Sequence, residues 1–270
     1  MSIIFIDGDE RQKYALQHLK SRGVSDVSLV KSRDVSKESL VSRAIILPLP
    51  VSTELTEITS YINADTLVIG GRFPPAVKQA LSDRSIRYVD YYTNEDFQIK
   101  NAVLSAEGAL FTAMQALKRS LHGSKIAVVG FGRIGKHLCA KLDSLGARVT
   151  ACARKSADVA WAESFGYDTI RIIYSNGRSS LTKLSDDYDV IFNTVPSWIF
   201  DEDSASAIGR DTVFVELASA PFGMDSSIAK KYGLNYIMAS GLPGKYAPAS
   251  AGEIIGQAVF EILKEEGIVI

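Results

Sequence analysis

Lys125-Ile126-Ala127-Val128-Val129-Gly130-Phe131-Gly132-Arg133-Ile134-Gly135 is the stretch from which the fold is read. A short apolar run, Ile126 to Val129, stops at a G-x-G-x-x-G spacing, and a helical stretch follows. A second strand, Ala147-Arg148-Val149-Thr150-Ala151, then leads to Arg154-Lys155. In such a βαβ unit the first glycine permits a tight turn, the second lets backbone approach a pyrophosphate, and the third lets helix pack on strand. The helix N-terminus adds N–H donors and partial positive charge. The reading is a dinucleotide clamp made of Gly130, Gly132, Arg133, Ile134 and Gly135.

The end of the second strand selects the dinucleotide. A site for NAD usually carries Asp or Glu about 20 residues beyond the first glycines, where it accepts from the ribose 2′-hydroxyl. Here Thr150-Ala151-Cys152-Ala153 leads instead into Arg154, Lys155 and Ser156, two cations and a hydroxyl suited to a 2′-phosphate. The expected cofactor is therefore NADP.

Working outward, 270 residues with 46% hydrophobic side chains suffice for two α/β domains. Thirty basic against thirty-one acidic residues leave a formal charge of −1, too little field to gather nucleic acid or an anionic membrane. Cys139 and Cys152 are the only cysteines and read as reduced core thiols, with neither a disulfide framework nor a metal site in the spacing. Met1-Ser-Ile-Ile-Phe-Ile-Asp7 lacks the basic region of a signal peptide, and no apolar run reaches membrane-spanning length. A cytoplasmic protein is expected.

Residues 1–100 alternate strands at Ile3 to Ile6, Val27 to Val30, Ile45 to Leu47, Leu67 to Ile69 and Ile86 to Val89 with polar helices, which predicts an N-terminal parallel α/β domain. Asp9 and Gln12 have capping-box spacing at the start of its first helix. Residues 101–122 predict a long connector helix with Leu110, Met114, Leu117 and Leu121 on its buried face. A Rossmann domain follows over 123–249, with further strands at Ile170 to Tyr174, Val190 to Thr194, Val213 to Ala218 and Asn235 to Met238. Pro243-Gly244 and Pro248 read as a turn. Ser250 with Glu253 reads as the cap of a helix over 250–270 that returns to the N-terminal domain.

Candidate chemistry gathers at the carboxyl ends of strands. Asn193-Thr194-Val195-Pro196 would border the nicotinamide end of a dinucleotide. The loop Leu217 to Gly223 has small residues, Ser219 among them, for close approach of a flat ring, and Gly241 to Pro248 follows the last strand. His18, His122 and His137 are the only histidines, so a late histidine acting as the proton carrier of a 2-hydroxyacid dehydrogenase is absent. Acid–base work would fall to Glu, Asp, Lys or Tyr. Glu107 at the start of the connector helix and Lys245 are candidate catalytic groups, and Arg72 and Ser219 candidate substrate contacts. A first-turn acid for Glu107, complementing the helix dipole, and solvated loop cations for Arg72 and Lys245 are the plain alternatives.

Taken together, the blocks resemble the family of dipicolinate synthase A subunits. The residues that carry the likeness are Gly8-Asp9-Glu-Arg11-Gln12, Leu47-Pro48 with Val51-Ser52, Asn101 with Ala106-Glu107-Gly108, and Val129 to Gly135. Further on they are Gly146-Ala147 with Ala153-Arg154, Asn193 to Pro196, Leu217-Ala218-Ser219, Gly241-Leu242-Pro243-Gly244, Ala247-Pro248 and Ala251-Gly252. The resemblance implies an NADP-dependent oxidoreductase acting on a CH–CH donor, forming pyridine-2,6-dicarboxylate for spores from a dihydrodipicolinate-type precursor. It also implies that the partner is a separate B subunit; assembly as a homo-oligomer is a further expectation. Where the family tends to show Arg-Pro-Gly-Gly, this chain has Ala220-Pro221-Phe222-Gly223, losing a cation that Arg72 would replace. Two other readings stand beside it: a related shikimate- or methylenetetrahydrofolate-type dehydrogenase, and a non-catalytic NADP-binding protein.

Overall fold

The computed structural model describes residues 2–35, 40–175, 178–184 and 187–269. The chain divides into two compact units, Met1–Asn101 with Pro243–Ile270, and Ala102–Leu242. Each is a parallel-sheet α/β unit, and the second is a Rossmann fold.

In the first unit β1 (Ile3–Ile6), β2 (Val27–Val30), β3 (Ala44–Ile46), β4 (Leu67–Gly70) and β5 (Tyr88–Asp90) lie in the order β2-β1-β3-β4-β5. Ile3 pairs with both Val27 and Ala44, so the chain reverses direction across the sheet between β1 and β3. Helix α1 (Glu10–Ser21) starts where the Asp9 spacing predicts, with the Asp9 side chain accepting from the Arg11 N–H. The second half of the capping box is not made: Gln12 is buried and its Nε2 donates to the Ile6 carbonyl at 3.0 Å. A 3-10 helix over Thr53–Tyr61 connects β3 to β4, and α2 (Pro75–Asp83) connects β4 to β5. Ile4, Ile6, Ile45, Leu47 and Val68 fill the core beneath them.

Helix α3 spans Glu95–Ala116 rather than 101–122. Asn94 accepts from the Phe97 N–H at 3.2 Å, and Glu95 and Asp96 occupy the first turn, a favoured helix start. The segment from Lys118 to His122 is a turn. Of the predicted buried positions, Leu110 and Leu121 are buried and Leu117 packs against the same core, whereas Met114 is 61% exposed. Ala106, Ala109 and Ala113 face the core beside Leu110, small side chains that let α3 lie close to its neighbours.

The second unit continues with β6 (Lys125–Val129), α4 (Arg133–Ser144), β7 (Arg148–Ala153), α5 (Ser156–Ser164) and β8 (Asp168–Arg171). The predicted strand Ile170 to Tyr174 breaks after Arg171. Tyr174–Ser175 (β9) and Arg178–Ser179 (β10) form a separate antiparallel hairpin. Then come β11 (Val190–Asn193), α6 (Glu202–Ala207), β12 (Val213–Glu216), α7 (Ser226–Tyr232) and β13 (Asn235–Met238). The order β13-β12-β11-β6-β7-β8 is that of a dinucleotide-binding sheet, with β6, β7 and β8 as one half and β11, β12 and β13 as the other. Both faces are covered, by Leu138, Leu142 and α3 on one side and by Leu181, Phe200, Ala205 and Met224 on the other.

The predicted turn at Pro243-Gly244 is a short helix, α8 (Leu242–Tyr246). Helix α9 (Pro248–Glu265) begins two residues before Ser250, so Ser250 lies in its first turn. Pro248 sets the start, its fixed φ suiting the first helical position, and Ala247 in the cap position makes no side-chain bond. Within the first unit α9 packs on α1. A Cβ at Gly252 would stand 2.6 Å from the Arg11 carbonyl oxygen, and one at Gly256 would stand 2.9 Å from that of Ala15. Only glycine allows the two backbones that close.

Candidate functional site

The glycines between β6 and α4 act for three different reasons. Gly130 has φ +101°, a conformation that L side chains rarely adopt, and a Cβ there would meet Thr194 Oγ1 at 2.3 Å. A Cβ on Gly135 would stand 1.9 Å from the Gly130 carbonyl oxygen, so the third glycine lets α4 press on the turn. Gly132 has no heavy atom within 4 Å of its Cβ position. That open side, next to the first N–H groups of α4, is a cradle that a side chain would fill and a pyrophosphate can occupy. Arg133 and Ile134 form the first turn of the helix, both half-buried.

The chain leaves β7 at Ala153, and Arg154, Lys155 and Ser156 are exposed at the sheet's carboxyl edge. Among the described residues no carboxylate pairs with either cation. Cys139 and Cys152 are free and buried, and burial pushes the Cys139 thiol up to about 12.

Across the switch point from β6, the loop after β11 is pinned to the clamp. Thr194 donates through its N–H to the Val129 carbonyl at 2.8 Å and through Oγ1 to the same oxygen at 3.0 Å. Asn193, fully buried, does not point outward. Its Nδ2 donates to Glu216 Oε1 at 2.7 Å and its Oδ1 accepts from the Val195 N–H at 3.2 Å. Pro196 is exposed beyond it. The loop after β12 turns at Ser219–Phe222 around a cis Ala220–Pro221 bond, the Phe222 N–H donating to the Ser219 carbonyl at 3.0 Å. Ser219 is exposed, and Phe222 takes φ +65°, a conformation that favours glycine.

Glu216 was not among the sequence candidates, although an acid at the end of Val213-Phe-Val-Glu216 breaks an apolar run and is a signal in itself. It is fully buried at the end of β12. Burial pushes its carboxyl above its ordinary value, while hydrogen bonds from Gly223, Asn193, Ala218 and Tyr236 act the other way.

Glu107 does not stand at the helix start that the sequence suggests. It lies in the middle of α3, and its Oε1 pairs with Lys141 Nζ at 2.9 Å. Lys141 is in the last turn of α4, at the end opposite the clamp. Glu107 is thus neither a first-turn acid nor gathered with the glycines.

Arg72 and Lys245 belong to the first unit. Arg72, at φ +59°, is held through its N–H by Asp90 Oδ1 at 2.9 Å, and its guanidinium lies 5.4 Å from the Tyr92 ring centroid. Lys245 is exposed on α8. Arg11 also stands at this unit's carboxyl edge. It bonds Asp9 through Nε at 2.9 Å and donates through Nη2 to the Leu49 carbonyl. Among the described residues no group of three or more His, Cys, Asp or Glu side chains is placed to hold a metal, and no helix is long and apolar enough to cross a membrane.

The family model for the D-isomer specific 2-hydroxyacid dehydrogenase NAD binding domain matches residues 95–222. The dipicolinate synthase A subunit of Bacillus subtilis (strain 168) is 32% identical over 179 residues, 66% of this chain, and the match spans 58% of that protein's length. The crystal structure of the Bacillus subtilis protein superposes with a TM-score of 0.83 at 26% identity, covering 99% of this chain and 97% of that one. The Bacillus halodurans counterpart gives 0.85 at 24% identity, covering 97% of each chain. The apo-structure of D-lactate dehydrogenase from Escherichia coli shares the fold, with a TM-score of 0.72 at 15% identity over 99% of this chain and 98% of that one. The resemblance read from the loops is therefore borne out: the chain is a relative of the dipicolinate synthase A subunits in sequence and in fold.

Proposed function

We propose that the protein is an NADP-dependent oxidoreductase of the dipicolinate synthase A type, oxidising a dihydrodipicolinate-type cyclic precursor to pyridine-2,6-dicarboxylate. The observation that carries the reading is the pairing of an open glycine cradle at Gly132 with two exposed cations, Arg154 and Lys155, where an NAD site would present a carboxylate. A bound nicotinamide supplies the hydride acceptor that aromatisation of such a ring requires. Gly130, Gly132, Gly135 and the first turn of α4 hold the pyrophosphate, and Arg154, Lys155 and Ser156 take the 2′-phosphate. The turns at Thr194 to Pro196 and at Ser219 bound the nicotinamide half of the sheet. Arg72 and Lys245 are the cations we assign to substrate carboxylates, and the proton released on aromatisation passes to solvent, since Glu107 is paired with Lys141.

A 2-hydroxyacid dehydrogenase would need an imidazole that the sequence beyond His137 does not contain. The Bacillus subtilis relative is named as one of the lettered subunits of its enzyme, which supports a partner corresponding to a B subunit.

The test supplies purified protein with NADP or NAD and an enzymatically generated cyclic precursor, with and without the B subunit. Reduced nicotinamide and pyridine dicarboxylate are followed together. Product from the protein alone with NADP is the expected result. Product only with the B subunit would make the chain a binding component, and intact NADP binding without product in either condition would return it to the wider dehydrogenase group.

A further inference from the structure

Four hydrogen-bond donors converge on one buried carboxylate at the carboxyl edge of the Rossmann sheet. Glu216 Oε1 accepts from Asn193 Nδ2 at 2.7 Å and from the Ala218 N–H at 2.9 Å. Its Oε2 accepts from the Gly223 N–H at 2.9 Å and from the Tyr236 hydroxyl at 3.4 Å. These donors come from the ends of β11 and β12, from the far side of the turn at Pro221, and from β13. Three of the four can only donate, so the arrangement fits an ionised carboxylate, and a protonated acid would find an acceptor only at Tyr236.

What Glu216 holds is the floor on the nicotinamide side. Asn193, fixed by Glu216, is bonded in both directions to the backbone of Val195, and Thr194 between them rests on Gly130. Gly223 is pressed so close to Asn193 that a Cβ would stand 2.1 Å from Nδ2. The Gly223 carbonyl accepts from the N–H groups of both Ile199 and Phe200 at 3.0 Å, and Trp198 Nε1 donates to the Pro221 carbonyl at 2.8 Å. The loops after β11 and β12 are thereby tied to each other and to the first glycine of the clamp.

We propose that Glu216 is a positioning residue for the nicotinamide end of the bound dinucleotide, fixing both loops through its buried carboxylate. It touches neither cofactor nor substrate. The inference rests on the NADP reading above.

Glu216→Gln tests it. An amide has one acceptor oxygen, so its NH₂ must face either the Gly223 N–H or the pair from Ala218 and Asn193. Two ligands are compared: NADPH, and adenosine 2′,5′-bisphosphate, which lacks the nicotinamide half. Leaving buried donors unmatched should weaken NADPH by about tenfold, with the bisphosphate held within about twofold. Unchanged NADPH affinity, or an equal loss for both ligands, would overturn the proposal. If Glu216→Gln does not fold, Asn193→Ala removes the link to the first loop and is held to the same selective loss. A wild-type protein that binds neither ligand would remove the NADP reading itself and the inference with it, an outcome seen before any variant is made.

Discussion

The two sheets obey one topological rule and end with opposite crevices. Each reverses its strand order once, between β1 and β3 in the first unit and between β6 and β11 in the second, and open α/β sheets bind ligands at such points. In the first unit the point is closed by protein. Gly8 is so near Pro48 that a Cβ would stand 2.5 Å from the proline Cβ, and Arg11, only 12% exposed in its side chain, reaches from the first turn of α1 to the Leu49 carbonyl. In the second unit the clamp is equally tight at Gly130, yet the space beside Gly132 is open. Topology locates a crevice, and the residue types at its lip decide whether a ligand or the protein's own cation fills it.

Substitutions can break this contrast. The largest effect is expected for Gly135→Ala, whose Cβ would strike the Gly130 carbonyl oxygen. Such overpacking costs about 1–3 kcal/mol, and denaturant unfolding together with NADPH titration should show both stability and binding lost. Replacing Arg154 and Lys155 together by alanine removes two charge-assisted contacts of about 1.5 kcal/mol each, so the ratio of NADPH to NADH affinity should fall by roughly a hundredfold. An unchanged ratio would return the pair to the role of solvated cations. Gly132→Ala separates binding from folding. With no neighbour to strike, it should shift stability by less than about 0.5 kcal/mol while weakening NADPH by roughly tenfold. Arg11→Ala opens the crevice that the protein keeps shut. It should cost about 1–2 kcal/mol in unfolding free energy and leave NADPH affinity unchanged.

Much of this was legible because buried parallel strands are continuous apolar runs. β1, buried throughout, matches its run end to end. The glycine spacing was legible because its chemistry is local, a turn and the helix that follows it. The connector helix was misplaced because Leu110, Met114, Leu117 and Leu121 attract attention that alanine does not. The helix lies on Ala106, Ala109 and Ala113, and its start was written in Asn94-Glu95-Asp96. Ser250 misled in the same way, since Pro248 had already fixed the helix start. Glu216 stayed hidden because its donors come from residues 193, 218, 223 and 236, which only the folded sheet brings together.

The contact of α9 on α1 through Gly252 and Gly256 also orders events during synthesis. Ile3, Phe5 and Leu19 share one core with Ile255, Val259 and Leu263. The first unit therefore cannot close until residue 263 has been added. The second unit lies wholly within residues 102–242 and is finished sooner. On the ribosome, where domains fold as units while they emerge, the later-encoded Rossmann unit closes first. The strands made earliest wait with an apolar face uncovered until α9 arrives.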